Sequence, residues 1–412
     1  MRKLLLASVA TIAGTLALTG GAQAQPAKAP APGTVVVHLN GWFDFEAVAL
    51  NNPNSSSKNS GSTKFAPINT VGLFRLYPGF DATTKDGLQY GVASEIRDTL
   101  ANPNGAGVNG NTTSPNGTVS LYVRRAYGYI GAKDAGYVRF GQTDSAFSLM
   151  SYGDIEAFGD YQQFNSDLGT AALIYNGAPK NLFAVSGALY TTSKIVYESP
   201  SFAGLNFAVG FEPNSNGLAE GTAGNQSGAS AISGSSPSRR RNTIDAMVGY
   251  TTEMDGVGLK ASAGYLDASP LGNTGGAQPY KNMGIFQAGG QVTFGGAALG
   301  VNYKDGSVND GYTFVKSGQR NDSDILVSGT YTAGPVILGA SYFFNQSAGA
   351  SAVARTETSN GLAVGANYVF TPNLNLFVQY LYGQIHQVGN SGAGPNGNGH
   401  TNAIGVGASL HW

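Results

Sequence analysis

From Thr34 onward the chain alternates apolar and polar or small residues in blocks of about ten, the period of strands with two unlike faces. In the first block Val35, Val37, Leu39, Phe43 and Phe45 share one face, opposite His38, Asn40, Trp42, Asp44 and Glu46. Further on, Leu205, Phe207, Val209 and Phe211 oppose Asn206, Ala208, Gly210 and Glu212, and Leu362, Val364, Ala366, Tyr368 and Phe370 oppose Gly361, Ala363, Gly365 and Asn367. One face suits lipid and the other water. A soluble β-sandwich would alternate as well, so the connections carry the distinction. Short links near 81–87, 131–136, 200–204, 253–258, 295–297, 333–335 and 371–373 take turns with long polar ones at 51–64, 98–117, 214–242, 308–320 and 388–400. Short turns on one rim and long loops on the other are the pattern of an outer-membrane barrel, and the blocks between them predict about 16 antiparallel strands over 34–412. The expected class is therefore all-β, a transmembrane antiparallel β-barrel.

Composition sharpens this picture. The 60 glycines and 11% charged residues would suit a low-complexity chain, but 21 Tyr and 20 Phe do not. Beyond the first residues no apolar run is long enough for a spanning helix, and a spanning protein without one must close its sheet. Met1, Arg2 and Lys3, an apolar stretch from Leu4 to Leu18 and the Ala22-Gln23-Ala24 site read as a signal peptide over 1–24, followed by a Pro/Ala-rich segment over 25–33. Without Arg2 and Lys3 the chain has 21 basic and 24 acidic side chains, no footprint for nucleic acid. The absence of cysteine excludes a disulfide, a thiolate nucleophile and a zinc-thiolate site.

Tyr250, Tyr265, Tyr303, Tyr331, Tyr342, Phe344, Tyr368, Phe370, Tyr380 and Tyr382 fall near strand ends, where amphipathic rings favour the headgroup level; Tyr is also simply a good strand former. The last block sets Ile404, Val406, Ala408, Leu410 and Trp412 on one face, and a terminal aromatic in that setting looks like the assembly signal of outer-membrane proteins.

Several segments resemble the general porins of Gram-negative bacteria, most closely the alphaproteobacterial branch. LYVRRAYGYI at 121–130 followed by GYVRFGQ at 136–142 is similar to one family strand pair, and KIVYESP at 194–200 with FAG at 202–204 to another. YVFTP at 368–372 and LFVQY at 376–380 resemble the last hairpin. The resemblance implies a homotrimeric, water-filled, 16-stranded barrel in the outer membrane, in contact with lipid and lipopolysaccharide, passing small hydrophilic solutes and ions without a cofactor. It also implies a third long loop, here 143–192, folded inward as a constriction. Its part from 171 to 191 is apolar enough to pack or to form a hairpin, which leaves room for a larger strand count.

In that frame Arg75, Arg97, Arg124 and Arg139 fall on inward positions of the early strands, and the loop supplies Asp144, Asp154, Glu156, Asp160 and Asp167. Arg125 is on the opposite register to Arg124; a lipid-facing Arg at mid-depth costs roughly 2–4 kcal/mol, so a rim position or a bulge is expected. The charges either line a pore with a transverse field or pair with one another and hold the loop. Two unit charges about 10 Å apart in water interact by roughly 0.4 kcal/mol, so such a field biases ions by modest factors. Arg239, Arg240 and Arg241 either meet lipopolysaccharide phosphates or form a solvated charge run. His38, His386, His400 and His411 lack metal-site spacing.

Three other functions are weighed. A sugar- or anion-specific channel needs an inward aromatic or basic series, and Trp42, Tyr77 and Phe343 do not form a visible one. A barrel enzyme such as a phospholipase needs a Ser-His pair on the lipid face, and His386 has no Ser on a matching face. A structural or adhesive barrel would conduct no ions.

Overall fold

The computed structural model describes residues 30–51, 68–98, 121–164, 192–215, 240–270, 279–309, 312–349, 356–388 and 399–412. The expected signal peptide, Asp167, Arg239 and the stretch 171–191 lie outside the described residues. Sixteen strands run in chain order: β1 Thr34–Asn51, β2 Ile68–Thr83, β3 Gln89–Asp98, β4 Tyr122–Ala132, β5 Gly136–Gln142, β6 Ser193–Glu198, β7 Leu205–Asn214 and β8 Arg240–Met254. They continue as β9 Val257–Pro270, β10 Met283–Phe294, β11 Ala297–Gly306, β12 Asp322–Ala333, β13 Val336–Ser347, β14 Thr356–Thr371, β15 Leu374–Val388 and β16 Gly399–His411. Each pairs antiparallel with its sequence neighbours, and β16 pairs back onto β1, closing the barrel. Because β5 and β6 pair directly from Gln142↔Ser193 to Tyr137↔Glu198, no further strand enters the sheet between them.

Closure is completed at Gly41 and Trp412, whose backbones exchange two hydrogen bonds of 3.1 and 3.2 Å. The Trp412 ring lies so close over Gly41 that a Cβ there would come within 2.0 Å of it. On the rim holding that seam the strands are joined by links of two to six residues. Two are tight hairpins in which both central residues have positive φ, Asp255 at 51° with Gly256 at 77°, and Gly295 at 51° with Gly296 at 88°. Such turns match the right-handed twist of the flanking strands and favour Gly and Asp. The long connections leave from the strand ends at the opposite rim.

The alternation read from sequence is the alternation of the wall. Val209, Phe211, Val364, Tyr368, Ile404 and Val406 are exposed on the outside, while Ala208, Glu212, Ala363 and Asn367 are buried on the inside. All the rim aromatics named from sequence lie on the outward register except in degree of cover, Phe344, Tyr380 and Tyr382 being half-buried between neighbours. The inner face departs from expectation in one respect. It is not uniformly polar: β8 to β10 turn Met247, Leu266, Met283 and Ile285 inward, and β12 to β16 contribute Leu326, Phe343, Leu381 and Ala403. These apolar patches have a partner inside the barrel, described below.

A sixteen-stranded barrel is wide enough to leave an aqueous lumen. Spin labels at Val364 and Val406 are therefore expected to be relaxed by lipid-soluble oxygen, and labels at Gln291 and Thr293 by a water-soluble reagent. The opposite pattern would mean a one-residue register slip, which turns every side chain to the other face.

Candidate functional site

The connection from β5 to β6 turns into the barrel at once, and wall side chains direct each step. The Lys194 ammonium donates to the carbonyl oxygens of Thr143 (2.8 Å) and Thr192 (2.9 Å) and to the Thr192 hydroxyl (2.9 Å), so one cation holds both ends of the loop neck. Arg125 pairs with Asp144. Ser145 caps a single helical turn, α1 Ala146–Leu149, its Oγ accepting from Ser148 N–H. Asp245 on β8 accepts from Phe147 N–H at 2.6 Å. Phe147 and Met150 then sink into the apolar patch of β8 to β10, which explains why those inward positions are Met, Leu and Ile instead of polar residues.

From there the loop follows the inner wall, strand by strand. Asn302 on β11 donates to the Tyr152 carbonyl (2.7 Å), and Ser328 on β12 accepts from Ile155 N–H (2.9 Å) and donates to Gly153 (3.0 Å). Asn367 on β14 both accepts from Gly159 N–H (2.6 Å) and donates to its carbonyl (3.0 Å), and Gln379 on β15 accepts from Asp160 N–H (3.1 Å). Loop backbone that would be orphaned away from bulk water is thus satisfied by wall amides and hydroxyls, each bond contributing about 1 kcal/mol net. The floor of this track is glycine because the approach is close. A Cβ at Gly289 would lie 1.9 Å from the Tyr152 carbonyl oxygen, and one at Gly339 2.1 Å from the Phe158 ring. Gly153 answers from the loop side, at φ 93° and with room for no Cβ against Val301. Phe158 and Phe164 fill the second apolar patch, Phe164 meeting Phe343 edge-on at 4.8 Å between centroids.

The arginines occupy the opposite arc. Arg75 and Arg97 are cross-strand partners on β2 and β3. The ladder between β3 and β4 shifts by one residue at Glu95/Ile96, where Glu95 pairs with Arg125 and Ile96 with Val123. Arg125, not Arg124, therefore continues the inward register with Tyr127 and Tyr129, and Arg124 is the extra residue of a bulge; this corrects the assignment of the two from alternation alone. Both reach inward to Glu95, Arg124 at 2.8 Å and Arg125 at 2.7 Å, and Arg97 pairs with the same carboxylate. Glu95 was not singled out by the sequence, since only its partners on the facing strand give it a role, whereas the rim or bulge position expected for Arg125 is met by the bulge at Arg124. Arg139 pairs with Glu198 and stacks on Tyr127 at 5.5 Å. Arg240 is likewise engaged, bound to Glu212 at 3.2 Å inside the wall, which removes it from any lipopolysaccharide contact.

The acidic residues are spread along the loop. Asp144 stays on the arginine side with Arg125. Asp154 accepts from the Ser151 hydroxyl at 3.0 Å, and Asp160 accepts from Gln162 N–H at 2.9 Å and is fully buried. Glu156 is half-buried; burial and the neighbouring Asp154 and Asp160 carboxylates push its carboxyl up to about 8. Trp42 and Phe343 do face inward, but each is met by a loop ring, Tyr161 and Phe164 respectively. Among the described residues no group of three or more His, Cys, Asp or Glu forms a metal site.

Two outcomes follow from these charges. Replacing Glu95 by Gln leaves three guanidinium groups sharing less negative charge, so the reversal potential in a KCl gradient should move toward anion preference. Unfolding should become easier by about 3–5 kcal/mol, the usual cost of breaking a buried ion pair from one side. Raising the pH through 8 ionises Glu156, since an acid with a raised pKa gains its charge only there. Cation preference should rise over that interval in the wild type and rise less in Glu156→Gln.

The geometry can be set beside known proteins. A search of curated proteins finds no match. Solved structures of similar fold include an anion-selective porin from Comamonas acidovorans, with a TM-score of 0.57 and 15% identity over 92% of this chain and 100% of that one. The trimer form of OmpT, an outer membrane protein of Vibrio cholerae, gives 0.53 and 16% over 92% and 100%, and a mutant of Rh. blastica porin 0.52 and 13% over 92% and 100%. At such identities the likeness carries the fold. The family model for Gram-negative porins matches residues 7–408, and with the closed barrel it places this chain in that family, as an outer-membrane channel for passive diffusion.

Proposed function

We propose that the channel is a general diffusion pore whose narrowest part lies between the arginine arc of β2 to β5 and the loop 143–164 on the remaining wall. The observation that carries this reading is the path of the loop, which is bound to the inner wall instead of leaving the rim. On this reading Arg75, Arg97, Arg124 and Arg139 supply the positive side, with Arg125 added, and Asp154 and Asp160 the negative side, joined by Glu156 above about pH 8. Asp144 serves mainly to anchor the loop. Because Glu95 and Glu198 already offset part of the basic arc, and salt screens over about 8 Å, the field biases permeant ions without excluding either sign.

A channel dedicated to sugars is the weaker reading, since the inward Trp42 and Phe343 are covered by Tyr161 and Phe164 and offer no open series of rings. Porin membership and the barrel fold favour a channel over an enzyme. The trimeric form recorded for the Vibrio cholerae protein supports a homotrimer here. The signal peptide at 1–24, contact with lipopolysaccharide and the role of Trp412 in assembly belong to the same proposal. The position of Trp412 at the closing seam supports the last of these.

Planar-bilayer recording tests the constriction. Replacing Asp154, Glu156 and Asp160 together by their amides should lower cation preference, and replacing Arg124 by Gln should shift the reversal potential the other way. Arg139→Gln should have a smaller effect than Arg124→Gln, because Glu198 already compensates that charge. If neither set moved the reversal potential, other residues would build the constriction.

A further inference from the structure

The described stretch of the loop, residues 143–164, leaves the arginine arc at Asp144 and meets it again at Gln162. It starts with Asp144 bound to Arg125 on β4, passes along the wall through β8, β11, β12, β14 and β15, and arrives at β2, where Gln162 Oε1 accepts from Arg75 Nη2 at 3.0 Å. Between these two attachments only β3 remains on the short side of the circuit. The described part of the loop is thus a nearly closed ring inside the barrel, and the arginines complete it.

The second attachment is built with care for geometry. The Arg75 guanidinium lies over the Trp42 ring at 4.6 Å. Trp42 is stacked on His411, with 5.5 Å between centroids and 19° between planes, and its Nε1 donates to Ser409 Oγ at 2.7 Å. Tyr161, immediately before Gln162, presents its edge to both Trp42 and His411, at 6.4 and 6.5 Å. Its φ of 60° is in the left-handed region that a bulky residue occupies only when its surroundings hold it there. Arg75 also stands directly opposite Arg97 across the β2/β3 ladder, so a partner for it must accept a hydrogen bond. A carboxylate would do so and cancel the charge; an amide oxygen does so and leaves the charge in place.

We propose that the Gln162–Arg75 contact is the buckle that fastens residues 143–164 of the constriction loop into a ring, which makes Arg75 a positioning residue for the aperture as well as one charge of the basic arc. The proposal rests on the channel reading above. Released at Gln162, this stretch loses its hydrogen bond to β2 and is held there only by the ring contacts of Tyr161 and Phe164, so it moves more freely in the lumen. The planar, forked guanidinium is required, since an ammonium offers neither the stack on Trp42 nor the same reach.

The test is single-channel recording of the full-length protein in planar bilayers, with heat-modifiable gel mobility as the check that each barrel has formed. Gln162→Leu and Arg75→Lys preserve net charge. Both should raise conductance and open-channel noise while leaving the KCl reversal potential close to wild type. Gln162→Glu restores the contact as an ion pair, so it should return noise to the wild-type level and shift the reversal potential toward cations. Wild-type conductance and noise in both charge-preserving variants would overturn the buckle, as would a Gln162→Glu channel as noisy as Gln162→Leu. A wild-type protein that conducts no ions would instead overturn the channel reading itself, so the two failures are distinguishable.

Discussion

Every peptide group that meets hydrocarbon must find its hydrogen-bond partner within the protein, and a sheet meets that demand only by closing on itself. The antiparallel pairing of all sixteen strands, ending with Gly41 and Trp412 across the seam, is the consequence. Closure at sixteen strands fixes a wide lumen, and width creates the second problem, how to narrow the passage without filling it. The rest of the structure answers that problem with a loop laid on the inner wall.

Laying a loop on a β wall needs room, polar partners and some apolar contact, and the inner face provides each in a different place. Glycines at 289 and 339 give room for backbone and for Phe158; Asn302, Ser328, Asn367 and Gln379 replace the hydrogen bonds the loop backbone would otherwise make to water. Two apolar patches take Phe147 and Met150 at one end and Phe158 and Phe164 at the other. The polar residues of the inner face therefore divide into those that hold the loop and those that meet the solution. Charge follows the same division in part, with Arg97, Arg124 and Arg139 grouped on β3 to β5, apart from the amide and hydroxyl track on β11 to β15.

The basic arc is more heavily compensated than a ladder of arginines suggests. One carboxylate, Glu95, serves Arg97, Arg124 and Arg125, which is possible only because the bulge brings Arg124 and Arg125 to the same side. Removing the bulge would send one guanidinium toward lipid. The local irregularity thus sustains both the stability of the wall and the strength of its field.

The sequence by itself determined the barrel. Alternation along each strand, the succession of short and long connections and the lack of a spanning helix are properties of neighbouring residues, because the side-chain period of a strand is two and membrane depth sets its length. The faces of β1, β7, β14 and β16 were legible for that reason, as was an acidic loop following β5. What the sequence could not decide were facts about residues far apart in the chain. Alternation has no means of showing that Arg124 and not Arg125 is the extra residue, since only the partner strand defines a bulge. Inward Met247 and Met283 look like failures of pattern until Phe147 joins their cluster, and Asn367 looks like any solvated amide until Gly159 arrives from 208 positions away. The partnership of each charge was settled in the same way, by which side chains the closed barrel and its inward loop bring within hydrogen-bond reach.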